Sequence, residues 1–198
     1  MSVVRRDVVA DAPPVRGVPR ARSRRDEGVD AEARATTHRV ARTFALACRL
    51  LPRPVRRDIY LLYLVFRTLD DAVDDGRPDA AGRIAAVEAW AAGEPGERTR
   101  EVAVLDDVAA RHPLPRAALA DFCEGMRWDL EGRGFATEAE LDAYCYRVAG
   151  TVGVVMAAVL GTTDDERARP AAAAGSARAS SRVPSTAAMT TPTVPATR

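Results

Sequence analysis

The sequence contains no lysine, no asparagine and no glutamine, and its only isoleucines are Ile59 and Ile84. All 29 basic side chains are therefore arginines, set against 28 acidic ones for a formal charge of +1. A chain so near neutrality lacks the general basic surface that holds nucleic acid, so nucleic acid is not expected as a partner. Cysteine is scarce: Cys48, Cys123 and Cys145 are an odd set that makes no disulfide framework, which points to a reducing, cytoplasmic setting. Long hydrophobic runs are also missing. The longest, Ile59–Phe66 and Val152–Leu160, fall well short of the roughly 18 to 20 residues that cross a bilayer. No apolar segment follows the Arg-rich N-terminus, so a secretory signal is not expected.

The 198 residues divide into three stretches. Residues 1–35 read as a disordered Arg-rich tail, with Pro13, Pro14, Gly17 and Pro19 breaking any periodicity. Residues 36–165 carry apolar positions at helical spacing, punctuated by Gly and Pro. Residues 166–198 turn to Ala, Ser, Thr, Pro and Arg, with no acidic or aromatic residue after Glu166. Such a segment buries too little apolar surface to offset its ordering entropy, so a low-complexity, disordered tail is expected. Its abrupt change of composition reads as an out-of-frame stretch of a longer gene. The middle region predicts helices over about 37–51, 54–75, 79–92, 98–111, 115–131 and 138–160, and no strands. Pro54 and Pro115 open two of them, while Gly76, Gly93, Gly132 and Gly161 follow four ends. Thr137 and Glu140 form a capping box for the last. The fold class is all-α.

The helix over 54–75 is apolar on every side across Ile59–Phe66, so it belongs at the centre of the fold. It then ends in Arg67-Thr-Leu-Asp-Asp-Ala-Val-Asp-Asp75. At about 100° per residue, Tyr63, Arg67, Asp70 and Asp74 share one stripe, and Asp71 and Asp75 fall beside it. Carboxylates at a helix C-terminus oppose its dipole and repel one another at i,i+4. A cation relieves both, and Mg²⁺, with its preference for carboxylate and phosphate oxygens, suits this set. A solvated acidic helix end is the plainer reading of the same residues. Further on, Tyr144, Val148, Thr151 and Val155 share a stripe, and Gly150 and Gly153 suit close packing against a helix or a ligand. The cysteines, Trp90 and Trp128 read as packing residues, and His38 and His112 are too isolated for a zinc set.

Arg42-Thr-Phe-Ala-Leu, Leu50-Leu-Pro and Asp58 through Asp74 together resemble the squalene/phytoene synthase family. So do Gly125-Met-Arg-Trp-Asp-Leu130 and the more specific Tyr144-Cys-Tyr-Arg-Val-Ala-Gly-Thr-Val-Gly153. The resemblance spans about residues 37–165. It implies an isoprenoid-synthase-type helical bundle that joins two allylic prenyl diphosphates head-to-head in isoprenoid or carotenoid biosynthesis. It implies Mg²⁺ as cofactor, with NADPH only for a squalene-type product. Carried over by position, Asp70 and Asp74 hold metal, Arg67 and Tyr63 face the diphosphate and the ionising carbon, and Tyr144 is the catalytic tyrosine. Thr43 and Phe44 belong to the entrance, and Val148, Ala149, Val152 and Gly153 line the prenyl channel. Ala41 departs from the hydroxyl residue common in the family, which removes one diphosphate contact.

The family's second aspartate motif falls due near residues 180–192, where Ser180 to Pro192 offers no carboxylate. The C-terminal helices of the bundle are likewise missing or replaced, which leaves the apolar 59–66 segment short of neighbours. Two readings therefore stay open, an active phytoene- or squalene-type synthase and a catalytically inactive truncated homologue or partner subunit. A head-to-tail prenyl synthase or terpene cyclase shares Asp-Asp-x-x-Asp but leaves Tyr144–Gly153 unexplained. Farnesyl and geranylgeranyl diphosphate are both open as substrates. The lipid product implies a cytoplasmic protein with peripheral contact at the inner membrane face.

Overall fold

The computed structural model describes residues 24–161, and those residues contain helices and no strand. Helices α1 (Arg24–Val40), α2 (Arg42–Cys48) and α3 (Arg53–Asp74) come first, followed by α4 (Ala80–Ala92), α5 (Arg100–Ala109) and α6 (Arg116–Leu130). Helix α7 (Glu138–Cys145) then runs through a π-helical turn (Tyr146–Gly150) into α8 (Thr151–Val159). Proline sits in the first turn of α3, where a missing N–H costs nothing. Gly76 ends that helix with φ of +61°, and the Arg77 N–H closes back on the Ala72 carbonyl at 2.9 Å. Thr137 caps α7 by accepting the Glu140 N–H at 3.2 Å. In return the Ala136 N–H donates to Glu140 Oε2 at 2.7 Å, one residue earlier than in a standard capping box.

Helix α3 is central, packed by α1, α4, α5, α6 and α8. Ile59, Leu61, Leu62, Leu64, Val65 and Phe66 are all buried, so this segment is not short of neighbours. Phe66 meets Phe122 of α6 edge to face at 4.8 Å. The three cysteines are buried free thiols, and burial raises the Cys123 pKa to about 12.

Two boundaries differ from expectation. Helix α1 already occupies Arg24–Val40, part of the stretch expected to be a tail, although it is poor in apolar residues. What docks α1 is the buried face of Ala33, Thr36 and Thr37 together with two ion pairs. Arg57 Nε on α3 donates to Asp30 at 2.7 Å, and Arg100 on α5 binds Glu32. The helix expected over 37–51 is also kinked at Ala41 (φ −124°, ψ 64°), which turns Ala45 and Cys48 onto the core. The expectations for residues 1–23 and 162–198 lie outside the described residues.

Candidate active site

The acidic stripe occupies the last turns of α3. Arg67 Nη1 donates to Asp70 Oδ2 at 2.6 Å, and Nη2 pairs with Asp71. The guanidinium thus draws in Asp71, which the helical angles set to one side. Asp74 and Asp75 are exposed, and Asp70 is half-buried. Burial, then the charge of Asp74, raises the Asp70 pKa, with Asp71 and Asp129 adding to the effect and Arg67 opposing it. One guanidinium does not neutralise these four carboxylates. Among the described residues, Arg67 Nε is buried without an acceptor, a donor that an oxyanion would satisfy.

Tyr144 stands on α7 against α6. Its hydroxyl donates to Asp129 Oδ1 at 2.7 Å. The ring lies parallel to Trp128 (centroids 6.3 Å, 12°) and against Phe135 at 4.8 Å. Arg133 and Arg147 cover Trp128 at 4.0 and 4.9 Å. Burial raises the Tyr144 pKa, the bond to Asp129 adds to it, and the charge of Asp70 contributes too. Asp129 is itself raised by burial and by Asp74, against the opposing hydrogen bond from Tyr144. The residues on α6 and α7 therefore share one electrostatic neighbourhood with Asp70 and Asp74, although Tyr144 lies 70 positions after Asp74 in the chain.

Close approach of two elements sets this register. A Cβ on Gly125 would stand 2.9 Å from Val148 Cγ1 and 3.0 Å from Arg147 Cβ. Gly125 thus lets α6 lie directly on the π-helical turn that follows Tyr144. Such turns are frequent at functional sites, because one extra residue re-aims the side chains around it.

The other expected site residues are distributed as follows. Tyr63 is half-buried and its ring meets Phe44 at 5.6 Å, so α2 and the α3 stripe touch there. Thr43 is exposed at the start of α2. Val148, Ala149, Val152 and Gly153 are partly exposed, with Val148 and Val152 packed on the core. Asp129 was not singled out from the sequence, although it sits at the end of the Gly125–Leu130 segment. Trp128, expected as a packing residue, also forms part of the aromatic wall beside Tyr144. Among the described residues no three ligating side chains converge into a metal cage. Asp70, Asp74 and Asp129 nevertheless supply hard oxygens, and Mg²⁺ commonly takes one or two carboxylates and completes its shell with water and phosphate. The donor chemistry fits Mg²⁺ as a partial set.

A model of the family described as squalene/phytoene synthase matches residues 37–180. The chain belongs to the squalene/phytoene synthase family. Over 137 residues it is 39% identical to the 15-cis-phytoene synthase of Synechococcus elongatus, covering 66% of this chain and 44% of that protein. The corresponding Paracoccus enzyme is 37% identical over 137 residues, covering 63% and 45%. The chain thus spans about half the length of the curated relatives it matches. A dehydrosqualene synthase crystal structure superposes with a TM-score of 0.67 at 24% identity, over 76% of this chain and 54% of that one. The squalene synthase HpnC of Alicyclobacillus acidocaldarius gives 0.61 at 26% identity, over 76% and 58%. The helical fold is of the isoprenoid-synthase type that these family members share.

Proposed function

We propose that this chain is a prenyltransferase of the head-to-head type, acting on two allylic prenyl diphosphates such as geranylgeranyl or farnesyl diphosphate. The observation that carries the reading is the Tyr144–Asp129 hydrogen bond, whose two groups feel the charges of Asp70 and Asp74 from a motif far earlier in the sequence. Asp70 and Asp74 would hold Mg²⁺, which when bound would supply positive charge to the diphosphate oxygens of the leaving group. Arg67 offers its free Nε–H to a diphosphate oxygen. Tyr63 and Phe44 wall the ionising end of the donor, behind Thr43 at the entrance. The raised pKa of Tyr144 keeps its phenol protonated, and Asp129 fixes the direction of the O–H. With Trp128 and Phe135 it presents aromatic faces that stabilise a carbocation. Val148, Ala149, Val152 and Gly153 line the prenyl chain.

In the implied reaction the C–O bond of the donor breaks, releasing pyrophosphate. The allylic cation adds to the double bond of the acceptor, and loss of a proton closes a cyclopropylcarbinyl diphosphate. A second ionisation and rearrangement end in proton loss for a phytoene-type product, or in hydride from NADPH for a squalene-type one. A cytoplasmic protein handing its product to the inner membrane face suits that chemistry, and no helix of the described residues is long and apolar enough to cross a membrane. The test is incubation of purified chain with each diphosphate and Mg²⁺, followed by chromatography of extracted hydrocarbons. A C40 or C30 product supports the reading. Mg²⁺-dependent binding of a diphosphate analogue without product favours the inactive homologue or partner subunit, and neither binding nor product overturns the proposal.

A further inference from the structure

A cleft of about 760 Å³ opens between α1, α2 and the first turns of α3. Arg34, Arg49, Arg53, Arg56 and Arg57 line it against one aspartate, Asp30. Asp30 accepts from Arg57, whose other nitrogens reach Asp58 and Asp107. Among the described residues, no carboxylate lies within ion-pair distance of Arg34, Arg49, Arg53 or Arg56. Arg56 reaches a carbonyl of Arg49, at 3.5 Å. The buried Tyr60 marks the floor: burial raises its pKa, and Arg56, Arg34 and Arg49 all pull against that rise, so these charges converge on it. Four guanidinium groups gathered around a concave surface repel one another until an anion joins them. Tyr60 precedes Asp70 by ten residues on α3, about 15 Å along the axis, so the cleft is separate from the carboxylate site. Beside Arg49, Leu46 and Leu50 are 62% and 90% exposed, unusual for leucines on a folded surface.

We propose that this arginine cleft binds phosphoryl oxyanions, with Leu46 and Leu50 placed to meet the acyl chains when the phosphate is the headgroup of an anionic lipid. Guanidinium groups match phosphate geometry in paired hydrogen bonds, and apolar side chains beside them add insertion at a bilayer surface. The site stands independently of the reaction proposed above. The test uses the full chain in EDTA, which disfavours phosphate binding at the carboxylates. One arm is calorimetric titration with inorganic pyrophosphate, and the other is sedimentation with phosphatidylglycerol or phosphatidylcholine vesicles. Sedimentation with phosphatidylglycerol vesicles alone is expected, falling at least tenfold in Arg49→Glu/Arg53→Glu and severalfold in Leu46→Ser/Leu50→Ser. Arg49→Lys/Arg53→Lys keeps the charge but loses the paired hydrogen bonds and is expected to bind between the Glu pair and the parent. The distant Arg67→Ala is expected to bind as the parent does, and circular dichroism checks that each variant keeps its helices. Binding of pyrophosphate alone, sensitive to the arginines and not to the leucines, supports the oxyanion site and removes the lipid as its source. No binding in either arm, or binding unchanged by Arg49→Glu/Arg53→Glu, overturns the proposal.

Discussion

Asp70 holds its proton more tightly in the folded chain than in the unfolded one, because burial and Asp74 outweigh Arg67. A carboxyl raised in this way favours folding below its ordinary pKa of about 3.9, and that contribution is lost as pH rises through the folded value. Asp70→Asn is therefore expected to be more stable than the parent at neutral pH and equal to it well below about pH 3.9. The gain stays under about 1 kcal/mol, since the side chain is 40% exposed and screened. Denaturant titrations at pH 3 and 7 without divalent metal check this, and greater parent stability at pH 7 would count against it. The same residue should show the opposite sign in binding. Asp70→Ala and Asp74→Ala are expected to lower Mg²⁺-dependent affinity for a prenyl diphosphate analogue at least tenfold, and Asp75→Ala only slightly. Calorimetric titration of the three variants tests the stripe, which fails if all lose affinity equally.

At the level of helices, the site depends on how closely α6 approaches the π-helical turn. Gly125→Ala forces a methyl group into contact with the stiff Val148 side chain and the Arg147 Cβ, at an expected cost of about 1–3 kcal/mol. Adding Val148→Ala should recover part of that loss, whereas the two changes would simply add if they acted independently. A denaturant double-mutant cycle measures the coupling. Little of this geometry was legible in the sequence. The helical pattern over 138–160 reads through Tyr146–Gly150 without interruption, because an extra residue in one turn leaves apolar positions on both sides of it. Asp129 lay within a recognised segment, yet its partner Tyr144 is fifteen residues on, and their pairing follows from the packing of α6 on the π-helical turn after α7. The α3 stripe was legible because one helix carries all of it.

Across the whole molecule, proline and glycine made most helix ends readable, since each restricts or releases φ where a helix must start or stop. Helix α1 escaped because small residues and ion pairs dock it, and neither leaves a hydrophobic signature. That helix completes the cover of α3, so the described helices share one core. A single calorimetric transition, with the van't Hoff enthalpy equal to the calorimetric one, is the expected thermal behaviour; two resolved transitions would contradict the shared core. The ion pairs between helices have a further consequence. Arg57 with Asp30, Arg100 with Glu32, Arg83 with Glu101 and Arg127 with Glu88 all draw their positive charge from guanidinium groups. Guanidinium does not deprotonate in proteins, and amine-directed reagents leave it untouched. Acylating reagents, aldehyde fixation and amine-coupled surfaces therefore find no ammonium side chain in this sequence, and the electrostatic links among its helices survive such treatment intact.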